Sequence, residues 1–283
     1  MEAEMEAESR EYRYVRLNPT GNITCLVLDR AEPGDEIILT RELLKESEQV
    51  AYLEEAQAPG AVAAIRLMGG EFCGNAAMAA AAWLVRDEVR EGGCKSFLLE
   101  VSGAAEPVLC AVRRTESGLE GTADMPPVRE IREETFGGTA VTLVRMDGIA
   151  HLVYEGKALE KEEAEKLLTL AAGTLPDEAA GLLQWDREKR YMLPLVFVRG
   201  SGSLVWEHGC GSGSAAVGAL EAFRAGNGLL TTRVEQPGGV ILSAAEARDG
   251  RILSVRITGR VRLGTEKVIQ IISSAARRAS AMT

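Results

Sequence analysis

Two stretches of the chain share one design: residues 62–75 read VAAIRLMGGEFCGN, and residues 203–213 read SLVWEHGCGSG. In both, a run rich in aliphatic residues leads through glycine to a Cys-Gly pair, and a stretch rich in alanine follows. The aliphatic run is typical of a strand, and the alanine-rich stretch is typical of a helix that buries small side chains. Each stretch therefore predicts a strand, a tight connection and a helix that begins at its cysteine.

The spacing of these two stretches predicts an internal repeat. Cys73 and Cys210 stand 137 positions apart in a chain of 283 residues, and Pro126-Pro127 lies between them as a plausible linker. We expect two similar domains, residues 11–126 with Cys73 and residues 127–273 with Cys210. Residues 1–10, rich in Glu and Ala, and residues 274–283, small and polar, are expected to be flexible tails.

Between these tails, strand-like runs outnumber helical stretches and do not alternate regularly with them, which argues against a doubly wound sheet. The clearest predicted strands cover residues 25–28, 62–67, 97–101, 195–198, 203–206, 232–235 and 255–257. Predicted helices cover residues 41–52, 75–90, 159–172 and 212–225.

Composition excludes several classes of protein. The net charge of −10 argues against a nucleic-acid or anionic-membrane partner, since such binding depends on clustered positive charge. The longest apolar run, Ala76 to Val85, is about half of the ~20 residues that a membrane-spanning helix needs. The amino terminus lacks the basic start of a signal peptide, so we expect a cytoplasmic protein.

The cysteine count points to free thiols. Five cysteines without a CxxC pair fit neither a disulfide framework nor a zinc site, and only His151 and His208 offer imidazole ligands. No motif calls for a metal or an organic cofactor, so we expect none. Cys25, Cys94 and Cys110 lack a following helix start and are interpreted as core or bystander residues.

The Cys-Gly pairs suit proton transfer at an α-carbon. A thiolate at a helix N-terminus is stabilised by unpaired N–H groups and the helix dipole, so we expect pKa values below the usual ~8.5. The free amides of Gly74-Asn75 and Gly211-Ser212 would hold an α-carboxylate. One thiolate would remove the α-proton from one face while the opposite thiol returns a proton to the other, which inverts the centre without an external electron sink.

One Cys-Gly pair before a helix is usually accidental, but two in matching contexts favour function. Glu207, three residues before the second cysteine, is the candidate for the substrate ammonium. His151 is interpreted as a structural histidine, and Asn22 by itself is a turn residue. The alternative from another class is a non-catalytic carboxylate-binding or thiol redox-sensing protein.

The two cysteine segments resemble the diaminopimelate epimerase superfamily, in which a Cys-Gly-Asn motif pairs with a later Cys-Gly-x-Gly motif. The resemblance implies an α+β fold of two pseudo-symmetric domains, each an antiparallel, barrel-like sheet around a central helix. It further implies an active site in the cleft between the domains, no pyridoxal phosphate, an isomerase of amino-acid metabolism and a homodimer.

A closer likeness is to the cofactor-independent histidine racemases of opine-metallophore (staphylopine-type) biosynthesis. The segments that carry it are NPTGN (18–22), EFCGNA (71–76), WE (206–207), CGSG (210–213) and QPGG (236–239). Residues with which diaminopimelate epimerases bind the distal end of their substrate are missing: their Glu-Arg before the second cysteine is Glu207-His208 here.

The resemblance makes Cys73 and Cys210 the acid and base pair, with Gly74, Asn75, Gly211 and Ser212 holding the carboxylate. Glu207 would meet the ammonium, and Asn22 would border the side-chain pocket. His208 has no assigned role. We expect an amino-acid racemase with histidine as the leading substrate; the alternative is diaminopimelate or another amino acid.

Overall fold

A computed structural model describes residues 9–32, 34–200 and 202–272. The described chain is an α+β protein whose strands belong to one large mixed sheet. The strands are β1 (Ser9–Pro19), β2 (Thr24–Val27), β3 (Gln49–Glu54), β4 (Ala61–Leu67), β5 (Cys94–Val101), β6 (Val108–Thr115), β7 (Gly118–Asp124), β8 (Val128–Phe136), β9 (Thr139–Met146), β10 (Ile149–Tyr154), β11 (Ala179–Asp186), β12 (Tyr191–Val198), β13 (Ser203–Trp206), β14 (Gly228–Gln236), β15 (Gly239–Arg248) and β16 (Arg251–Ile272). The helices are α1 (Asp35–Leu43), α2 (Gly74–Leu84), α3 (Lys161–Thr174) and α4 (Gly211–Ala225).

The sheet is mixed, which corrects the expectation of antiparallel sheets. Strand pairs β2–β3, β4–β5, β10–β11 and β12–β14 are parallel. Each of these pairs is joined through one of the helices α1 to α4, because a parallel neighbour can be reached only by a crossover connection. Helices α2 and α4, which carry the two cysteines, are two of these crossovers.

The first half of the chain forms a closed ring of strands. Hydrogen-bonded pairing runs from β1 through β7 to β16, and β16 pairs back with β1. Helix α2 packs inside this ring, where Met78 and the alanines beside it are fully buried. The approach is close: a Cβ at Gly121 of β7 would lie 2.7 Å from the carbonyl oxygen of Met78. Small side chains therefore let a helix fit within the ring.

Strand β16 joins both halves. Its residues 251–259 pair with β15, residues 256–261 pair with β7 on the other side, and residues 261–272 pair with β1. The predicted second domain, residues 127–273, thus ends in a strand that also completes the first half. At the other end, Ser9 and Arg10 of the predicted tail lie in β1. The remaining tail predictions, residues 1–8 and 274–283, lie outside the described residues.

One predicted helix is wrong over most of its length. The pattern of residues 41–52 predicts a helix, but α1 ends at Leu43 and β3 begins at Gln49. The four residues from Gln49 to Tyr52 are all buried, and β3 fits between β2 and β4. Tertiary pairing therefore outweighs the local helical pattern.

Helix α3 covers the outside of the second half. Its apolar stripe, which includes Leu167 and Leu168, packs against β11 and β12, and a capping box of Glu160 and Glu163 closes its first turn. By contrast, α4 is buried along almost its whole length. None of the helices in the described segments has the length and apolarity required to span a bilayer.

Candidate active site

Both predicted cysteines are the N-cap residues of their helices. The Sγ atom of Cys73 accepts a hydrogen bond from the N–H of Ala76 (3.5 Å), and Sγ of Cys210 accepts one from the N–H of Gly213 (3.3 Å). The Oγ atom of Ser212 lies 3.5 Å from Sγ of Cys210. Both cysteines have extended backbone angles, so each sulfur folds back over the first turn of its helix in the same way.

The two helix N-termini meet. The Nδ2 atom of Asn75 donates to the carbonyl oxygen of Gly209 at 2.9 Å. A Cβ placed on Gly74 would lie 2.9 Å from Cδ1 of Ile257, and one on Gly211 would lie 3.0 Å from the same atom. One methyl group thus lies against the first residue of both helices, and a larger residue at either position would require the neighbouring side chains to shift.

The first two amides of each helix remain open at this junction. The sulfurs occupy the N–H groups of Ala76 and Gly213, but within the described residues no acceptor faces the N–H groups of the two residues that begin each helix. These are Gly74, Asn75, Gly211 and Ser212. They are the positions that the sequence predicted for carboxylate binding, and two helix dipoles add positive potential there.

Burial is the largest influence on the pKa values of both thiols. It raises the pKa of Cys73 to about 11, although the Ala76 amide and Gln49 act in the opposite direction. It also raises the pKa of Cys210 well above its usual range, and the nearby Glu207 carboxylate raises it further. The expected fall of the thiol pKa values below ~8.5 is therefore wrong, because desolvation disfavours the thiolate.

Glu207 lies beside Cys210. Burial raises the pKa of its carboxyl group to about 7, while a hydrogen bond with Cys210 acts in the opposite direction. Its backbone N–H donates to the carbonyl oxygen of Pro194 (3.0 Å), which anchors residue 207 to the middle of β12. The structure thus brings the predicted ammonium-binding carboxylate to the second cysteine.

Asn22 lies in a constrained turn next to the junction. Thr20 has a positive φ of 56°, unusual for a β-branched residue, and its N–H and Oγ1 both bond to the carbonyl oxygen of Arg260. A Cβ on Gly209 would lie 2.1 Å from the carbonyl oxygen of Thr20, so the turn presses against the Cys210 loop. Asn22 is 6% exposed, and its Oδ1 has no hydrogen-bond partner among the described residues.

Sequence reasoning missed three residues that contact the cysteine centres or their neighbours. Gln49 lies near the sulfur of Cys73 and acts to lower the pKa of that thiol, and Oε1 of Gln236 accepts the N–H of Cys210 at 2.6 Å. Glu48 accepts a hydrogen bond from Nδ1 of His208, whose side chain is otherwise exposed. Gln236 had a signal in the QPGG segment, whereas Glu48 and Gln49 fell within the wrongly predicted helix.

The other three cysteines and His151 lie in or at the ends of strands, as expected for residues without a catalytic role. Cys25 and Cys110 are completely buried within strands, and Cys94 is exposed at the start of β5. His151 is also completely buried, and burial lowers its pKa to about 3, so its ring is neutral at physiological pH.

Known proteins match this chain over most of its length. The family described as "Histidine racemase CntK N-terminal domain" matches residues 11–268. A histidine racemase of Fusobacterium nucleatum is 28% identical over 247 residues, which cover 83% of this chain and 90% of that protein. A histidine racemase of Staphylococcus aureus is 26% identical over 249 residues, covering 81% and 86%.

A solved structure shares the fold. The hydroxyproline epimerase from Agrobacterium vitis, with bound trans-4-hydroxy-L-proline, superposes with a TM-score of 0.68 at 16% identity and covers 94% of both chains. At this identity the likeness concerns architecture alone, whereas the family match spans nearly all of the described chain. The protein is an isomerase that belongs to the histidine racemase family.

Proposed function

We propose that the protein racemises free histidine with Cys73 and Cys210 as the two proton-transfer groups. The observation that carries this proposal is the meeting of two helix N-termini, each capped by a cysteine and each with two open amides. A carboxylate bound by these amides is held between two sulfurs. The α-carbon attached to it then faces one thiol on each side.

The open amides supply the stabilisation that the reaction needs. Loss of the α-proton leaves a carbanion whose charge spreads into the carboxylate oxygens. N–H donors from Gly74, Asn75, Gly211 and Ser212 point at the place where this charge develops. They also cost little to reorganise, because the helices fix them before the substrate binds.

Protons balance in each turnover. One cysteine, as thiolate, takes the α-proton and becomes a thiol, and the opposite thiol gives its proton to the other face and becomes a thiolate. The product leaves with the cysteine roles exchanged, which suits the reverse substrate. Because burial raises both thiol pKa values, we propose that the substrate ammonium, bound by Glu207, offsets this by placing a positive charge near the sulfurs.

The surroundings favour a side chain that donates N–H groups. The charged groups that act on the two cysteines include the carboxylates of Glu207 and Glu71. Asn22 adds a buried oxygen without a partner among the described residues, Oδ1, and we propose that it borders the imidazole pocket. A distal carboxylate, as in diaminopimelate, would meet like charge there, whereas an imidazole supplies the missing donor.

The finer architecture belongs to the same proposal. The element order of the first half, two strands, a helix, two strands, a helix and three strands, largely recurs from β9 onward. We propose that residues 11–126 and 127–273 are pseudo-symmetric domains of diaminopimelate epimerase type with the active site in their cleft. A homodimer and a cytoplasmic location stay predictions.

The deciding experiment is proton NMR of the reduced protein in heavy water with separate L-histidine, D-histidine and diaminopimelate samples. We expect loss of the α-proton signal of either histidine enantiomer together with formation of the other, as resolved by chiral chromatography. Activity on diaminopimelate alone would contradict the assigned substrate. Carboxylate binding without exchange on any amino acid would favour the non-catalytic alternative.

A further inference from the structure

Three buried hydrogen bonds form a closed ring at the start of α4. The N–H of Cys210 donates to Oε1 of Gln236 at 2.6 Å, and Nε2 of Gln236 donates to Oγ of Ser214 at 2.8 Å. The Ser214 hydroxyl in turn donates to the carbonyl oxygen of Cys210 at 2.7 Å. Gln236 is 3% exposed and Ser214 is completely buried. Both peptide groups of Cys210 are therefore fixed by one glutamine and one serine.

The ring decides which amides of α4 stay open. A helix begins with four N–H groups that lack an internal partner. Gln236 takes the one on Cys210, and the sulfur of Cys210 takes the one on Gly213. Gly211 and Ser212 are left, which are the two that face the proposed carboxylate. Without Gln236, the N–H of Cys210 would compete for the same ligand or remain buried without a partner.

The corresponding position on the first helix is built differently. Gln49 lies near the sulfur of Cys73, and its Nε2 donates to Oγ1 of Thr24 at 2.7 Å. Among the described residues no side chain accepts the backbone N–H of Cys73. The two cysteines thus cap their helices in the same way, but among the described residues only Cys210 has its backbone N–H bound by a side chain.

We propose that Gln236 is a positioning residue for Cys210, one that fixes the backbone from which the sulfur projects and reserves the Gly211 and Ser212 amides for the substrate. This inference rests on the proposed function and deepens it. It predicts that changes at Gln236 act on one proton-transfer group and leave the other unchanged.

Gln236→Glu is the informative variant because its two protonation states behave differently. A protonated carboxyl group at position 236 keeps one acceptor for the Cys210 N–H and one donor for Ser214. The ionised form loses that donor and places a negative charge against the backbone N–H of Cys210, in the same residue as the sulfur, which disfavours the thiolate. As the pH rises through the ionisation of the introduced carboxyl group, kcat/KM for histidine should therefore fall by about tenfold or more relative to the unchanged protein. A roughly tenfold fall is what a rise of about one unit in the pKa of Cys210 would cause.

Gln184→Glu is the matched control. Gln184 is buried as well, and its Oε1 accepts the N–H of Leu159 at 2.7 Å, but it lies in β11 and, among the described residues, has no hydrogen bond to either cysteine. Both variants are expected to lose stability. Only Gln236→Glu should change the pH profile, and Ser214→Ala, which removes two sides of the ring, should lower kcat without adding a pH-dependent loss.

A second readout does not depend on racemisation. Iodoacetamide alkylation of Cys210 and Cys73 is followed peptide by peptide in one sample by mass spectrometry. In Gln236→Glu the ratio of the Cys210 rate to the Cys73 rate should fall as pH rises, and in Gln184→Glu it should match the unchanged protein. A fall in this ratio in a protein that racemises nothing would support the role of Gln236 and refute the proposed function. Identical pH profiles and identical alkylation ratios in both variants would overturn the proposal for Gln236.

Discussion

The side-chain amide of Asn75 donates its Nδ2 hydrogen to the carbonyl oxygen of Gly209, a residue 134 positions later in the chain. Asn75 is 1% exposed, and its Oδ1 has no hydrogen-bond partner in the described part of the chain. One amide therefore joins the two cysteine loops and leaves an acceptor at the junction. A buried acceptor without a partner is costly unless a ligand supplies a donor.

Replacement of this amide by a carboxylate tests the connection. In Asn75→Asp the group facing the Gly209 carbonyl becomes an acceptor, and a negative charge enters the proposed carboxylate site. We expect KM for histidine to rise by about tenfold or more, and the free energy of unfolding to fall by about 1–3 kcal/mol from the lost hydrogen bond. Steady-state kinetics and urea titration measure the two effects.

Asn227→Asp is the control for that variant. Asn227 is exposed, and its Oδ1 accepts the N–H of Asp249 at 2.8 Å, a role that an aspartate oxygen retains. It should leave KM unchanged. An Asn75→Asp protein with ordinary KM would show that the substrate carboxylate does not bind at this junction.

The cysteine pair is tested by single and double replacement with serine. A serine hydroxyl is a far weaker base than a thiolate, so Cys73→Ser and Cys210→Ser should each lower kcat by about 10²–10⁴. The kcat of the double variant should be little lower than that of the less active single variant, because substitutions of two groups that act as a unit do not have additive effects. Cys94→Ser, at an exposed thiol, is the control and should keep full activity. Undiminished turnover in either active-site variant would exclude the two-thiol mechanism.

Glu207 is expected to reduce stability in the absence of substrate. Its pKa is about 7 in the folded chain, against ~4.3 for an unfolded glutamate, so the folded state binds more protons between these values. Stability contributed by Glu207 therefore declines as pH rises from ~4.3 to about 7, and above that the full penalty is present.

Glu207→Gln removes this penalty. The variant should match the original protein near pH 4 and exceed it at pH 8 by up to about 3 kcal/mol, while racemisation falls because the ammonium loses its partner. Urea titrations at both pH values measure the difference. Equal stability of the two proteins at pH 8 would show that Glu207 is not held in a desolvated site.

Sequence alone predicted the parts of the site that depend on local pattern. A cysteine followed by glycine and small residues fixes a helix start, and both α2 and α4 begin directly after their cysteine. The open amides follow from that start because every helix has unpaired N–H groups in its first turn. The repeat of the pattern at half-chain spacing predicts that the two cysteines act as a pair, which stays part of the proposed function.

Long-range pairing was beyond the same reasoning. The sequence of β16 gives no sign that one strand of 22 residues pairs with β15, β7 and β1. The stretch from Arg41 to Tyr52 has a helical pattern, yet burial between two strands makes its end a strand. The thiol pKa values differ from the expectation for a related reason, since desolvation depends on what the rest of the chain packs around the sulfur.

His151 should make the protein sensitive to acid. It is completely buried in β10, neither ring nitrogen has a hydrogen-bond partner in the described structure, and burial lowers its pKa to about 3. An unfolded histidine has a pKa of ~6.5, so below that pH His151 is protonated in the unfolded chain but stays neutral in the folded chain. Stability must therefore decline as pH falls from ~6.5 toward about 3, by about 2 kcal/mol at pH 5 from this residue alone. In His151→Leu the free energy of unfolding should fall less between pH 7 and pH 5 than in the unchanged protein. Urea titrations at the two pH values measure this difference. Parallel acid sensitivity in both proteins would show that the ring is solvated or finds a proton acceptor on folding.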